Sequence, residues 1–261
     1  MTTKNKTLLL DGDILVYQAA ANAEKEINWG DGLWTLHAYE DEALGYFNDQ
    51  LGYITESTKV SNVKIFLTGN RNYRKYLHKD YKANRANKRK PMLIGWLKSH
   101  LLQNYDAIVH NGIEADDAIG VYSVNAGSVI VSKDKDLLTI AGEHWSPDHG
   151  FYEVTQEEAD YNFLMQTLTG DTTDNYKGCP SVGPVKARKI LDTDDPWGSV
   201  VKAFNDAGLT EEEAITQARL ARILRPNEFD IEKNEVKLWT PQTQLTNPAI
   251  IHTVALSALT T

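Results

Sequence analysis

Four short apolar runs, at residues 7–10, 63–68, 107–109 and 128–131, are separated by stretches long enough for helices. Runs of that length bounded by polar turns read as strands. Strands alternating with helices imply βαβ units and a mostly parallel sheet covered on both faces. Helical patterning fits between them: 14–23 is apolar and alanine-rich, 38–58 carries Tyr39, Ala43, Phe47, Leu51 and Ile54 at helical spacing, and Pro91 opens 91–102. Residues 114–124 follow with carboxylates in the first turn. The expected fold is therefore α/β, with a mostly parallel central sheet flanked by helices. Ligands of such sheets bind beyond the carboxyl ends of the strands. That rule places Asp11, the turn at Glu114 and the turn at 134–136 on one rim, although more than a hundred residues separate the first from the last.

Beyond Thr155 the pattern becomes helical, at 156–168, 197–204 and 211–224, with a Gly-, Pro- and Asp-rich stretch at 170–191. Strand alternation returns only at 235–239, and 241–261 contain no Lys, Arg, Asp or Glu. The expected division is an α/β core over 1–154, which includes a cationic helical segment at 70–90, a helical region over 155–240, and an uncharged tail over 241–261.

Several classes are disfavoured. With 261 residues, 41% of them hydrophobic and 24% charged, the chain has the composition of an ordinary globular protein with a real core. Cys179 is the only cysteine and no histidine pair sits at zinc-ligand spacing with a cysteine partner, which argues against a disulfide scaffold or a zinc module. No run reaches the length of a spanning helix, and Asp11 closes the apolar start too early for a signal-peptide core. A cytoplasmic protein with no membrane partner is expected.

The net charge of −9 argues on average against nucleic acid. The average conceals a division. From Arg71 to Lys90 nine Lys or Arg, among them Arg74, Lys75, Lys82, Arg85, Lys88 and Arg89, face one acid, Asp80. That segment holds +8, so the rest of the chain carries −17. Nine cations against one acid lack the alternation of a solvated helix face. Lys82 and Arg85, three apart, share one helical face, and Tyr81 beside them offers a ring on which an unpaired base can stack.

Carboxylates fall into four tight groups: Asp11 with Asp13; Glu114, Asp116 and Asp117; Asp134 with Asp136; Asp171 with Asp174. Each has an ordinary explanation, as first-turn acids, a turn, or an N-cap. Brought together, however, they would repel one another severely unless divalent cations neutralised them. Oxygen donors without His or Cys select Mg²⁺, with Mn²⁺ as a substitute, and so many carboxylates can hold two ions, the arrangement of phosphodiester hydrolysis. An EF-hand is ruled out, because neither Asp134 nor Asp171 has the required glycine and glutamate downstream. The turn within 170–191 adds backbone amides that can hold a phosphate without reading sequence, at Gly183 and with Lys186, Arg188 and Lys189 nearby.

At these residues the chain resembles the flap endonuclease/5′-nuclease superfamily, and most of all the 5′→3′ exonucleases of podovirus-type phages. The resemblance is carried by LLLDGD at 8–13, YKANR at 81–85, EADD at 114–117, SKDKD at 132–136 and GDTTDNYKGCPSVGPVKA at 170–187. ARILRPNEFD at 221–230 and VKLWTP at 236–241 extend it to nearly the whole chain. It implies a PIN/5′-nuclease-like core and a helix–hairpin–helix-like element in the C-terminal region, which would bind DNA. It also implies that Asp11, Glu114, Asp116, Asp117 and Asp134 serve a first metal and that Asp136, Asp171 and Asp174 complete a second. Lys82 and Arg85 match phosphate-engaging cations, Tyr81 a stacking position, and 178–187 a turn that holds K⁺ through backbone carbonyls. Asp13 has no firm counterpart and is expected to cap a helix. The family's usual aspartate after the second strand is replaced by Gly69 or Asn70.

The expected activity is Mg²⁺-dependent 5′→3′ hydrolysis of double-stranded DNA from a 5′ end, with flaps and RNA–DNA hybrids as further substrates, in phage replication or host DNA degradation. The alternatives are a DNA-structure-binding protein of the same fold and a PIN-type ribonuclease. The second-metal acids favour the enzyme over the first, and the cationic segment and hairpin element weigh against the second.

Overall fold

The computed structural model describes residues 6–124, 127–241 and 253–255. The chain runs β1 (Thr7–Asp11), α1 (Gly12–Asn22), β2 (Glu24–Asn28), β3 (Trp34–Ala38), α2 (Glu40–Thr58), β4 (Val63–Asn72), α3 (Arg74–Leu77), α4 (Ile94–Asn104) and β5 (Ala107–Gly112). It continues through α5 (Ala115–Tyr122), β6 (Ser128–Val131), β7 (Gly142–Ser146), β8 (Gly150–Val154), α6 (Gln156–Thr169), α7 (Pro184–Leu191), α8 (Pro196–Asp206), α9 (Glu211–Ala221), β9 (Phe229–Asp230), β10 (Glu235–Lys237) and β11 (Thr253–Ala255).

Six strands form the central sheet in the order β5-β4-β1-β6-β7-β8. All pairs are parallel except β7–β8, which is a hairpin. The α/β class with a mostly parallel sheet flanked by helices holds. Alternation along β1 explains the two faces: Leu8 and Leu10 join the core under α1, α2 and α4, while Leu9 joins the core under α5. β1 lies between β4 and β6, so consecutive crossovers leave it in opposite directions and open a crevice at its carboxyl end. Asp11 stands there, as the N-cap of α1.

The segment after α9 returns to the sheet. Ile223, Leu224, Phe229 and Val236 share one core with α5, and a Cβ on Gly120 would lie 2.1 Å from the Leu224 carbonyl. Further on, α6 to α9 pack about Leu168, Val182, Phe204 and Ala214. Between α6 and α7, Gly170 (φ +66°) and Gly178 (φ +63°) stand backbone to backbone, an approach and a conformation that only glycine takes without strain.

Three local expectations are corrected. Residues 70–90 are not one helical segment: β4 extends to Asn72, α3 has four residues, and after Lys82, at φ +57°, only a 3₁₀ turn forms at Ala83–Arg85. The β2–β3 and β7–β8 hairpins were not anticipated. Asp13 does not cap its helix; its carboxylate accepts from the Thr68 N–H at 3.1 Å and pairs with Lys98 at 2.5 Å. Most of the uncharged tail, 242–252 and 256–261, lies outside the described residues. Among the described residues no helix is long and apolar enough to cross a membrane.

Candidate active site

Acids from four parts of the chain gather beyond the carboxyl ends of β1 and β6. Burial, the charge of Asp13 and that of Asp134 push Asp11 up to about 7. Burial raises Asp116 well above the carboxylate range, reinforced by Asp11, Asp134 and Glu114. Burial and the charges of Asp134, Asp171 and Asp174 carry Asp136 to about 6. Asp134 is thus the acid felt on both sides. It begins a 3₁₀ turn at the end of β6, accepting from the Asp136 N–H at 2.9 Å.

The cationic segment is latched across this rim. The Lys82 N–H donates to the Asp174 carbonyl at 2.9 Å, Asn84 to that of Thr172 at 2.8 Å, Arg85 Nε to that of Thr173 at 3.1 Å, and Asn175 to that of Asp80 at 2.7 Å. Lys82 Nζ pairs with Glu114 and lies 3.5 Å from Asp174, and Arg85 reaches Asp174 at 2.5 Å. Burial alone would raise Glu114, but the Lys82 and Arg74 cations outweigh it and hold the carboxyl at about 2. Asp171 accepts from the N–H groups of Thr173 at 2.6 Å and Asp174 at 3.2 Å, which hold it below the ordinary value against the effect of burial.

Four expected site residues have other work. Asp117 is fully buried and takes Arg74 bidentately, both contacts at 2.7 Å, while also accepting from the N–H groups of Glu114 and Leu224. With its oxygens so engaged it is not available to a metal. Arg74 is only 3% exposed, and also donates to the carbonyls of Leu220 and Arg222, so it is a buried staple and not a nucleic-acid contact. Tyr81 is 2% exposed; its hydroxyl lies 2.8 Å from a carboxylate oxygen of Glu114 and 2.8 Å from one of Asp174, with a single proton to give to one or the other, and its ring is in a core with no face free for a base. Arg89 pairs with Glu24 on β2 at 2.6 Å, tying the cationic segment to the hairpin. Lys75 and Lys88 are exposed, as are Gly183 and Lys186 at the start of α7. Asn70, one of the two residues at the position of the family's usual aspartate, is exposed on β4, and beside Gly69 the Thr68 N–H is taken by Asp13 and its carbonyl by Lys98 at 2.9 Å.

Two residues were missed. Lys135 lies 3.3 Å from Asp171 and 3.9 Å from Asp136, and Gln166 on α6 donates to Asp136 at 2.8 Å. Lys135 sits inside the quoted SKDKD stretch, whereas Gln166 has no local signal.

The donor chemistry fits hard divalent cations. Asp116 Oδ1 is buried without a hydrogen-bond partner, an oxygen whose desolvation an ion would offset. Among the described residues no three donors form a ready-made ligand shell, Glu114 and Asp174 being held by Lys82, Arg85 and Tyr81. The crowding has a measurable consequence. A carboxyl whose folded-state pKa exceeds its unfolded value withdraws stability as pH rises between the two. For Asp11 and Asp136 that window runs from about 4 to their folded values of about 7 and about 6. His110 and His144, lowered by burial, contribute with the opposite sign. Thermal unfolding in chelator is expected to show stability falling between about pH 4 and about pH 7 more steeply than in Asp116→Asn; equal slopes would contradict the crowding.

Residues 6–165 match the family described as 5′–3′ exonuclease, N-terminal resolvase-like domain. The chain belongs to that family and is a nuclease, a phosphodiester hydrolase. Among its relatives, the exodeoxyribonuclease of Enterobacteria phage T3 is 30% identical over 280 residues, covering 90% of this chain and 93% of the phage protein. The exonuclease of Escherichia phage T7 is likewise 30% identical, over 279 residues and with the same coverage. In fold the chain is similar to a phage T5 protein co-crystallised with metal ions, with a TM-score of 0.64 at 13% identity, over 83% of this chain and 89% of that one. It is similar also to the T5 flap endonuclease in a pseudo-enzyme-product complex with DNA and metal ions, with a TM-score of 0.62 at 14% identity and the same coverage.

Proposed function

We propose that this nuclease is a Mg²⁺-dependent 5′→3′ exodeoxyribonuclease acting on double-stranded DNA, with flaps and the RNA of RNA–DNA hybrids as further substrates. It would serve phage DNA replication or host DNA degradation in the host cytoplasm. The observation that carries this reading is the meeting of Asp11, Asp116, Asp134 and Asp136 at one rim, opposite Lys82 and Arg85. The phage T3 and T7 relatives, named exodeoxyribonuclease and exonuclease, support it.

Asp11, Asp116, Asp134 and, once freed from Lys82, Glu114 would hold one ion. Asp134, Asp136, Asp171 and Asp174 would hold the other. When bound, two such ions supply an activated water and neutralise charge on the phosphate. Lys82 pairs with Glu114 and Asp174 and Arg85 with Asp174, so both cations lie against the proposed ligands and can balance the charge a scissile phosphate gains there. Lys75 and Lys88, with Gly183 and Lys186 at the α7 end, supply contacts to the backbone of a duplex that carry no sequence preference. The carbonyls of 178–187 are the proposed place for K⁺.

The testing experiment uses 5′-labelled and 3′-labelled duplex, flap and hybrid substrates with Mg²⁺, Mn²⁺ or Ca²⁺. Mononucleotides released from the 5′ label with Mg²⁺ or Mn²⁺ are expected. Release from the 3′ end would overturn the polarity, and intact substrate under every metal would leave a DNA-structure-binding role. Lys82→Ala is expected to slow the single-turnover step by about 10²–10³-fold. Its duplex affinity in Ca²⁺ should change far less, and an equal loss in both would contradict its role at the transition state.

A further inference from the structure

A cavity of about 430 Å³ opens beside the acid rim, between α1, α2 and the carboxyl ends of β6 and β7. That volume lies within the range of small-molecule sites. Its walls are apolar where they are deepest, with Leu15, Ile54 and Val131 buried among the lining residues. Tyr53 stands at one side with 54% of its surface exposed, and the ring of Trp145 lies 6.5 Å from it at 59°. Gln18 and Gln50 place amides at the edge beside Asp49, with one N–H of Gln50 given to the Tyr46 carbonyl at 3.3 Å. The opposite edge is Asp11 together with Ser132 and Lys133, the residues immediately before Asp134.

We infer that this cavity takes the base of a deoxynucleoside 5′-monophosphate, whose phosphate lies toward Asp11 and Ser132–Lys133. Three features select that ligand. The exposed Tyr53 ring gives a flat base a face on which to stack, which is tolerant of base identity. The glutamine amides match the mixed donor and acceptor edge of any base without favouring one. Asp11 belongs to both the cavity and the acid rim, so a group bound here touches the place where a phosphodiester would be cut. The occupant is either the 5′-terminal nucleotide of the strand or the released mononucleotide. This inference rests on the exonuclease reading for the source of the nucleotide, but its test reads binding without cleavage.

Calorimetric titration of the full chain in Ca²⁺ with dGMP, dTMP and the baseless 2-deoxyribose 5-phosphate tests it. The nucleotides are expected to bind about tenfold more tightly than the sugar phosphate, the usual gain from one base stacked on an aromatic ring. Tyr53→Ala should erase that difference and Tyr53→Phe should keep it, so a general loss of folding is distinguished from loss of the ring. Equal affinity for nucleotide and sugar phosphate, or Tyr53→Ala binding dGMP like the wild type, would overturn the inference. A duplex with an abasic 5′ terminus separates the sources: weaker binding than the natural duplex assigns the cavity to the strand end, and equal binding with dGMP still bound assigns it to the product. Failure of the exonuclease reading appears separately, as a labelled duplex left uncut by a protein that still binds dGMP.

Discussion

Asp134→Ala is expected to lower the rate of duplex cleavage by about 10³-fold or more, because several kcal/mol of transition-state stabilisation would depend on that carboxylate. Its duplex binding in Ca²⁺ should survive. The size of the effect follows from position. Asp134 is the acid whose charge raises Asp11 and Asp116 on one side and Asp136 on the other. Removing it takes a shared donor from both proposed ions at once. Folding should suffer little, since the carboxylate offers one cap bond to the Asp136 N–H and its loss relieves repulsion. Single-turnover cleavage beside filter binding checks this, and full activity in the variant would remove the metal assignment.

The neighbouring aspartates of α5 are expected to behave in opposite ways. Asp117→Ala should cost about 3–5 kcal/mol of stability, as breaking a buried ion pair does. It takes the bidentate partner from an Arg74 guanidinium that is only 3% exposed, leaving it Glu114 at 3.3 Å as its one carboxylate, and frees the N–H groups of Glu114 and Leu224. Asp116→Asn should instead make the metal-free protein more stable. It replaces a partly buried carboxylate, crowded by Asp11 and Asp134 and with its buried Oδ1 unpartnered, by a neutral group of the same shape. The same change should remove most of the cleavage activity. Thermal unfolding in chelator, read beside cleavage in Mg²⁺, distinguishes the two; equal destabilisation by both would contradict the division of labour.

That division shows where sequence reading succeeds and where it stops. The strands at 7–10, 63–68, 107–109 and 128–131 were legible because apolar runs between helical stretches have few other uses, and their acid-tipped ends marked the rim. The pair Asp116–Asp117 was not separable. Consecutive residues on a helix point about 100° apart, and only the packing of Leu224 and Arg74 decides which one faces inward. Arg74 looked like any of nine cations in its segment, and nothing local marks it for burial. Tyr81 next to two cations reads as a stacking ring, yet the Phe163 and Tyr176 core encloses it. The continuous helix expected at 70–90 fails because Lys82 takes a left-handed conformation that lets its N–H reach Asp174, a partner 92 residues away in the chain. Such long-range partners are invisible to periodicity.

Where divalent cations bind is the most direct question. Crystals of the full chain soaked in Mn²⁺ and measured for anomalous scattering should show two peaks, one among Asp11, Asp116 and Asp134 and one among Asp134, Asp136, Asp171 and Asp174, with Lys82 drawn off Glu114. Peaks elsewhere, or none at a Mn²⁺ concentration that supports cleavage, would contradict the reading of these acids as the metal site.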